Sequence, residues 1–264
     1  MAAPVDEVFA DEFFASLYDY FNPWTPSDQF YLELARETGL RVLDLGCGTG
    51  MLACRIAVDG CAVTGVDAAK GMLRVARSRD GAERVTWVEA DGRTLRLSQQ
   101  FDLVYMTGHA FQALLTDEDA VALLRRAAWH LAPDGRLALE SRNPARKAWL
   151  SWTRDNGRVV ATDRHGRIEE SYDTEAGSGS GIVHLTHYYR FLDQGTTRTS
   201  HSRLRFIDQQ HLVHLLADAG LVPATWYGDW DRAPLLTEQP RDDRGGAATG
   251  IAMRTQSAWL EQRS

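Results

Sequence analysis

The chain has 264 residues, 44% of them hydrophobic, which fits one large domain or two small ones with a substantial core and excludes a largely disordered polypeptide. Lys and Arg number 29 against 36 Asp and Glu, a formal charge of -7. That balance argues against nucleic acid as a partner, because binding a polyanion relies on a concentrated basic surface.

From the N-terminus, MAAPVDEVFADEFF carries acids where a signal peptide needs a basic start and an apolar stretch, and no later run approaches about 18 apolar residues. The reading is cytoplasmic, with no membrane partner. LYDYFNPW (Leu17–Trp24) concentrates Tyr18, Tyr20, Phe21 and Trp24 ahead of the first strand. SDQFYLELARETG then predicts an amphipathic helix with Ser27 as N-cap and Gly39 as stop, closing an N-terminal cap over residues 1–39. Strands and helices alternate after it: strand Arg41–Leu45, helix Met51–Asp59, strand Ala62–Val66, helix Ala69–Ser78, strands Val85–Glu89 and Phe101–Met106, helix Asp117–Leu131, strand Arg136–Glu140. That pattern predicts an α/β fold, a Rossmann-like doubly wound sheet.

After Pro144 the period changes to alternation. Segments near Arg158–Thr162, Arg167–Thr174, Ile182–Leu192 and Thr196–Ile207 read as antiparallel strands joined by RHG, AGSGSG and DQG turns, an inserted sheet over about 151–207. Helix Asp208–Gly220 and the strand in LVPATWYG resume the α/β layer. These segments predict a single domain over 1–240 and a loose tail over 241–264, in which Thr249–Arg254 is a candidate for a returning edge strand. The cysteines, Cys47, Cys54 and Cys61, are odd in number and lack ligand spacing, so they read as reduced thiols. No His or Cys grouping reads as a metal site.

The chemistry starts at LDLGCGTG (Leu43–Gly50). Glycines between a first parallel strand and a helix let a ligand reach the backbone where any Cβ would intrude, so a nucleoside-containing ligand is expected. Gly46-Cys47-Gly48-Thr49-Gly50 is G-x-G-x-G, preceded by Asp44 in the strand; it departs from the G-x-G-x-x-G dinucleotide fingerprint and disfavours a pyrophosphate. Asp67, ending the second strand, can accept both ribose hydroxyls or cap the helix at Ala69. Asp91, ending the third, can accept from an adenine amino group or belong to a plain Asp-Gly turn.

Val42–Gly50, GVDAAKGML, VEADGRTL, FDLVYMTGHAFQALL and LAPDGRLALESRNP together resemble the class I S-adenosylmethionine-dependent methyltransferases, over about Tyr18 to Trp230. The resemblance implies that Gly46, Gly48 and Gly50 surround the methionine part of S-adenosyl-L-methionine. It also implies that Asp67 takes the ribose, Ala68 and Met72 pack on the adenosine, and Asp91 with Gly92 addresses the adenine edge. Asp44, Cys47, Ala90, Thr107 and Gly108 complete the implied cofactor site. The start of the chain resembles the helical cap of small-molecule methyltransferases.

Methyl transfer is an in-line displacement, so the protein mainly has to align and desolvate the nucleophile. His109 in MTGHAFQ, just after the fourth strand, is the candidate general base; its alternative role is to cap the following helix or orient substrate. Tyr18, Trp24, Gln112, Arg142 and Tyr188 are the candidate acceptor contacts. The inserted sheet reads as a lid, with Val183, Leu185, Tyr189 and Phe191 turned toward the aromatic cap and His184, His187 and Arg190 read as solvated or structural. The expected function is methyl transfer to O or N of a small organic metabolite by a monomer or homodimer. The competing classes are an NAD(P)-dependent oxidoreductase and a cofactor-binding protein without catalysis.

Overall fold

The computed structural model describes residues 5–177, 179–233 and 248–253. Two short helices, α1 (Glu7–Ala10) and α2 (Glu12–Phe21), precede α3 (Pro26–Thr38). Helix α3 starts two residues earlier than expected. Pro26 takes the first helical position and Thr25, in a capping box with Asp28, is the N-cap instead of Ser27, whose hydroxyl points to Thr107 and Glu140.

The alternating elements follow as β1 (Arg41–Leu45), α4 (Met51–Val58), β2 (Ala62–Asp67), α5 (Lys70–Arg77), β3 (Val85–Glu89), β4 (Phe101–Met106), α6 (Asp117–His130) and β5 (Leu131–Ser141). Then come β6 (Arg158–Thr162), β7 (Gly166–Ala176), β8 (Ile182–Phe191), β9 (Thr196–Arg205), α7 (Gln209–Asp218), β10 (Val222–Tyr227) and β11 (Ala248–Met253). The main sheet has the order β10-β11-β5-β4-β1-β2-β3, with β5 to β3 parallel and β11 antiparallel between β5 and β10. The stretch expected as a loose tail therefore supplies an internal strand at 248–253, because the backbone of β5 and β10 would otherwise face each other unpaired. The remainder of that tail, RDDRGGAA included, lies outside the described residues.

Both faces of the sheet are covered, as a parallel sheet requires. Phe30, Tyr31 and Leu34 of α3 join Leu52 and Ile56 of α4 on Val42, Leu103 and Tyr105. Leu123, Leu124 and Ala127 of α6 join Leu212, Leu215 and Leu216 of α7 on Leu43, Val104 and Leu137. The parallel order brings the carboxyl ends of β1 to β5 to one edge, where the chain presents Gly46, Asp67, Ala90, Thr107 and Arg142.

The second sheet is an antiparallel meander, β6-β7-β8-β9, which leaves after β5 and returns to α7. Its inner face puts Ile168, Tyr189 and Phe191 against Val8, Phe14, Leu17 and Phe21 of the first two helices. Val183 and Leu185 join Phe206 in a neighbouring cluster with Trp149 and Trp152. Of the four β8 residues expected on the aromatic cap, Tyr189 and Phe191 therefore pack there, while Val183 and Leu185 pack on Phe206, Trp149 and Trp152 instead.

Candidate active site

Gly46, Gly48 and Gly50 all take left-handed φ, at +79°, +53° and +73°, values a side chain disfavours. They serve different neighbours. A Cβ on Gly46 would lie 2.8 Å from Ala110, and one on Gly50 would overlap Trp87 and Ala76, whereas one on Gly48 would meet nothing within 4 Å. The position of an added Cβ thus differs among the three: at Gly46 and Gly50 it would meet protein, and at Gly48 it would enter open space.

The Gly48 N–H donates to Asp67 Oδ2 at 2.8 Å, and Ala69 N–H donates to Oδ1 at 2.7 Å, so Asp67 pins the glycine loop and the next turn together. Burial raises the Asp67 pKa, and these backbone donors oppose the rise. Within β1, Asp44 Oδ2 accepts from the Tyr105 hydroxyl at 2.8 Å, while its Oδ1 is buried without a partner. Burial pushes the Asp44 carboxyl up to about 8. A buried acceptor left unpaired is costly, so this oxygen points to a ligand donor. With the open Gly48 backbone and the Asp67 carboxylate beside it, the donor set fits a nucleoside carrying a cationic amino-acid tail, as S-adenosylmethionine does.

Asp91 is engaged within its own turn. Arg93 Nε donates to Asp91 Oδ1 at 2.9 Å and Nη2 to Oδ2 at 2.7 Å, while Nη1 reaches Asp119 Oδ2 at 2.8 Å. The guanidinium holds the Asp91 carboxyl below its ordinary value and ties the β3 turn to α6. Met72 is buried against Ala15 and Ala69, beneath the N-terminal helices. Ala68 is exposed beside Asp67, Ala90 half-buried and Cys47 buried. Gly92 packs on Leu123, and the Thr107 hydroxyl meets Ser27 at 3.2 Å.

A residue the sequence reading missed locks the loop from outside. Asp19 of α2 accepts from the Thr49 hydroxyl at 2.6 Å and forms an ion pair with Arg79, whose Nε donates to the Thr49 carbonyl at 3.1 Å.

Next to this edge lies a cavity of about 460 Å³. One wall is Gly108, His109 and Arg142 at the edge of the main sheet, a second is Phe9, Phe14, Tyr18 and Phe21, and the second sheet contributes Glu170, Tyr172, Leu185, His187, Tyr189 and Leu204. His109 has a left-handed φ of +59°, and its N–H donates to Glu140 Oε1 at 2.9 Å. Its Nδ1 lies 3.4 Å from the same oxygen. Burial first, and the Arg142 charge second, pull its pKa well below the ordinary value, so the ring is neutral. Burial lifts Glu140, another missed residue, to about 7 and Tyr18 to about 12.

The other expected acceptor contacts divide. Tyr18 and Arg142 line the cavity; Gln112, Trp24 and Tyr188 do not. Gln112 is buried behind the wall, accepting from Arg142 at 3.0 Å and donating to the Arg205 carbonyl at 3.0 Å. Trp24 is 39% exposed, because it follows the end of α2. Tyr188 has the opposite strand parity from Tyr189; it donates to Asp173 at 2.8 Å on the outer face, under the Arg154 guanidinium. His187, read as solvated or structural, faces inward instead, with Nδ1 3.7 Å from Glu170 and Nε2 2.8 Å from the Ser202 hydroxyl.

Among the described residues no helix is long and apolar enough to cross a membrane, and no group of His, Cys, Asp and Glu could hold a metal. Residues 42–135 match the family described as a methyltransferase domain. The chain is 38% identical over 107 residues to a cypemycin N-terminal methyltransferase of Streptomyces sp, covering 40% of this chain and 44% of that protein. The chain thus spans about half the length of the curated relatives it matches. Two solved structures share the fold. The CcbJ methyltransferase from Streptomyces caelestis has a TM-score of 0.73 at 20% identity, over 90% of this chain and 96% of its own. CalS10, an amino pentose methyltransferase from Micromonospora echinaspora with bound S-adenosylmethionine, has 0.68 at 21%, over 97% and 100%.

Proposed function

We propose that the chain is a class I S-adenosylmethionine-dependent methyltransferase and that it methylates O or N of a small organic metabolite held in the cavity between the sheet edge, the N-terminal helices and the second sheet. The observation that carries the reading is the unpaired, buried Oδ1 of Asp44 in the strand that leads into the open Gly48, on the same sheet edge as a cavity lined by a neutral histidine.

When bound, S-adenosylmethionine supplies an electrophilic methyl on a cationic sulfur; the remaining work falls to the protein. Asp44 Oδ1 is the acceptor for the cationic tail, and Asp67 keeps lone pairs for the ribose hydroxyls beyond its two backbone bonds. Gly48 leaves the backbone uncovered at that point. His109, neutral and with Nδ1 turned to Glu140, accepts the proton that the acceptor's O–H or N–H loses as its bond to the methyl forms. The imidazolium then lies 3.4 Å from the Glu140 carboxyl, which stabilises it whenever ionised. Tyr18, pushed up to about 12 by burial, stays protonated and serves as a donor at the cavity wall. The enclosing lid keeps water from the acceptor and limits its size.

Calorimetry with S-adenosylhomocysteine and with NAD tests the premise: the first binds and the second does not. Methyl transfer from methyl-labelled cofactor into small-molecule extracts tests the activity. Binding of NAD, or no binding of S-adenosylhomocysteine, overturns the reading.

A further inference from the structure

Arg142 follows β5 and lines the cavity beside His109 and Tyr18. Its guanidinium has five N–H donors. Nη1 donates to Gln112 Oε1 at 3.0 Å, and the Trp152 ring centroid lies 5.1 Å from Cζ, so neutral groups hold it in place. Gln112 is in turn fixed by its own bond to the Arg205 carbonyl at 3.0 Å. Among the described residues no carboxylate approaches the guanidinium to within the 4.0 Å of an ion pair. The other arginine of the cavity differs: Arg158 reaches Glu170 at 3.3 Å.

The groups that face Arg142 are Glu140, Tyr18, Tyr172 and His109. The tyrosines are held protonated, the histidine is neutral, and burial raises the Glu140 carboxyl well above its ordinary value. Its oxygens are also engaged, Oε1 by the His109 N–H and Oε2 by the Ser27 hydroxyl at 3.2 Å. This end of the cavity is therefore positive, enclosed and rich in unfilled donors. A planar guanidinium in such a place matches a carboxylate in two parallel bonds. Phe9, Phe14, Phe21, Leu185 and Leu204 add apolar lining beyond it, alongside the polar groups of Arg158, Glu170, His187 and Ser202.

We propose that Arg142 anchors a carboxylate carried by the methyl acceptor, so that the acceptor is an organic acid. This rests on the methyltransferase reading. It has a mechanistic consequence: the Arg142 charge depresses the His109 proton affinity, and pairing with the acceptor's carboxylate relieves that depression. The base strengthens when its substrate arrives.

A carboxylate could also come from the cofactor's own tail, so the test uses protein saturated with S-adenosylhomocysteine. Benzoate is titrated by calorimetry, with benzyl alcohol and benzylamine as controls, and the His109 imidazole is titrated by NMR with and without benzoate. Benzoate binds more tightly than either control and raises the His109 pKa. Arg142→Gln weakens benzoate at least 10-fold and abolishes the pKa rise, and Arg142→Lys, which keeps charge and approximate volume, lies between. Benzoate binding no tighter than benzyl alcohol, measured on the unaltered protein, overturns the proposal. So does an Arg142→Gln that keeps its benzoate affinity and instead loses S-adenosylhomocysteine affinity, which assigns Arg142 to the cofactor. Failure of the unaltered protein to take up S-adenosylhomocysteine refutes the methyltransferase reading itself.

Discussion

Two alanine substitutions two residues apart, Gly48→Ala and Gly50→Ala, separate the loop's part in the fold from its part in ligand binding. Both residues have left-handed φ, so each variant carries about 1–2 kcal/mol of backbone strain. A smaller conformational entropy of the unfolded chain offsets about 0.4–1 kcal/mol of it. Up to this point they are equivalent. The Gly48 Cβ then enters open space, whereas the Gly50 Cβ overlaps the Trp87 ring and comes within 3.0 Å of Ala76. Overpacking of that kind costs about 1–3 kcal/mol. At about 2–4 °C per kcal/mol for a domain of this size, Gly50→Ala melts about 2–12 °C below Gly48→Ala. Affinity for S-adenosylhomocysteine runs the other way. Gly48→Ala loses at least about 10-fold, or about 1.4 kcal/mol, and folded Gly50→Ala stays within about 3-fold. Scanning calorimetry and isothermal titration measure the two axes. Equal melting temperatures with equal affinity losses would refute the division of labour within the loop.

His109→Asn keeps a residue type that tolerates left-handed φ and removes the base. Turnover falls about 10²–10⁴-fold with S-adenosylhomocysteine affinity nearly constant, and turnover within a few-fold of the parent reduces His109 to an orienting residue. Because its folded pKa lies below 6.5, the neutral ring's contribution to stability is complete above about pH 6.5 and is lost as pH falls. The parent's melting temperature accordingly drops more than the variant's between pH 6.5 and 5. Asp44 has the opposite sign: its folded pKa of about 8 lies above the unfolded value of 3.8, so its buried carboxyl destabilises increasingly as pH rises from about 4 to 8. Asp44→Asn therefore stabilises the ligand-free protein at pH 8 more than at pH 5, by about 1.4 kcal/mol per pH unit at most, and a pH-independent effect on melting contradicts the assignment. Asp19→Ala leaves the Thr49 hydroxyl and Arg79 without their carboxylate and costs about 1–3 kcal/mol of stability, read by thermal melting.

The sheet was legible because parallel strands buried on both faces read as short apolar runs, and β1, β3 and β4 have the limits that RVLDL, VTWVE and FDLVYM suggest. The glycine loop and Asp67 were legible through spacing alone, but which glycine opens outward was not. That depends on Trp87, nearly forty residues away in sequence, filling the space behind Gly50. His187 had a signal that composition hid: it lies between Leu185 and Tyr189 in the same strand parity, so the apolar face that predicts the lid contact includes it. Glu140 had one too, as a carboxylate inside the apolar run RLALES. Asp19 carried no local signal, since its partners Thr49 and Arg79 lie in other elements. The aromatic density of LYDYFNPW misled at Trp24, because periodicity fails once the helix ends at Phe21.

Helix α2 ties the proposed cofactor and acceptor sites into one unit. Over ten residues it turns Asp19 to the glycine loop, Tyr18 to the cavity wall beside Arg142, and Phe14 and Phe21 to Tyr189 on the lid. Helical spacing permits this, since positions 14, 18 and 21 share one face and 19 lies beside it. Two polar ties add to the seam: Asp6, before α1, pairs with Arg203 of β9 at 3.1 Å, and the Tyr20 hydroxyl donates to Asp163 in the β6–β7 turn at 2.9 Å. The lid is therefore fastened to the same helix that clamps the loop, rather than hung only on its two ends after β5 and before α7. A displacement of the lid that admits an acceptor has to be accommodated at the aromatic seam or carried by α2 into the Asp19–Thr49 contact. In the second case the loop around Gly48 moves with the lid, and ordering of the loop by cofactor favours the closed cavity. Reciprocity of linked binding then requires the acceptor to tighten the cofactor by the same factor.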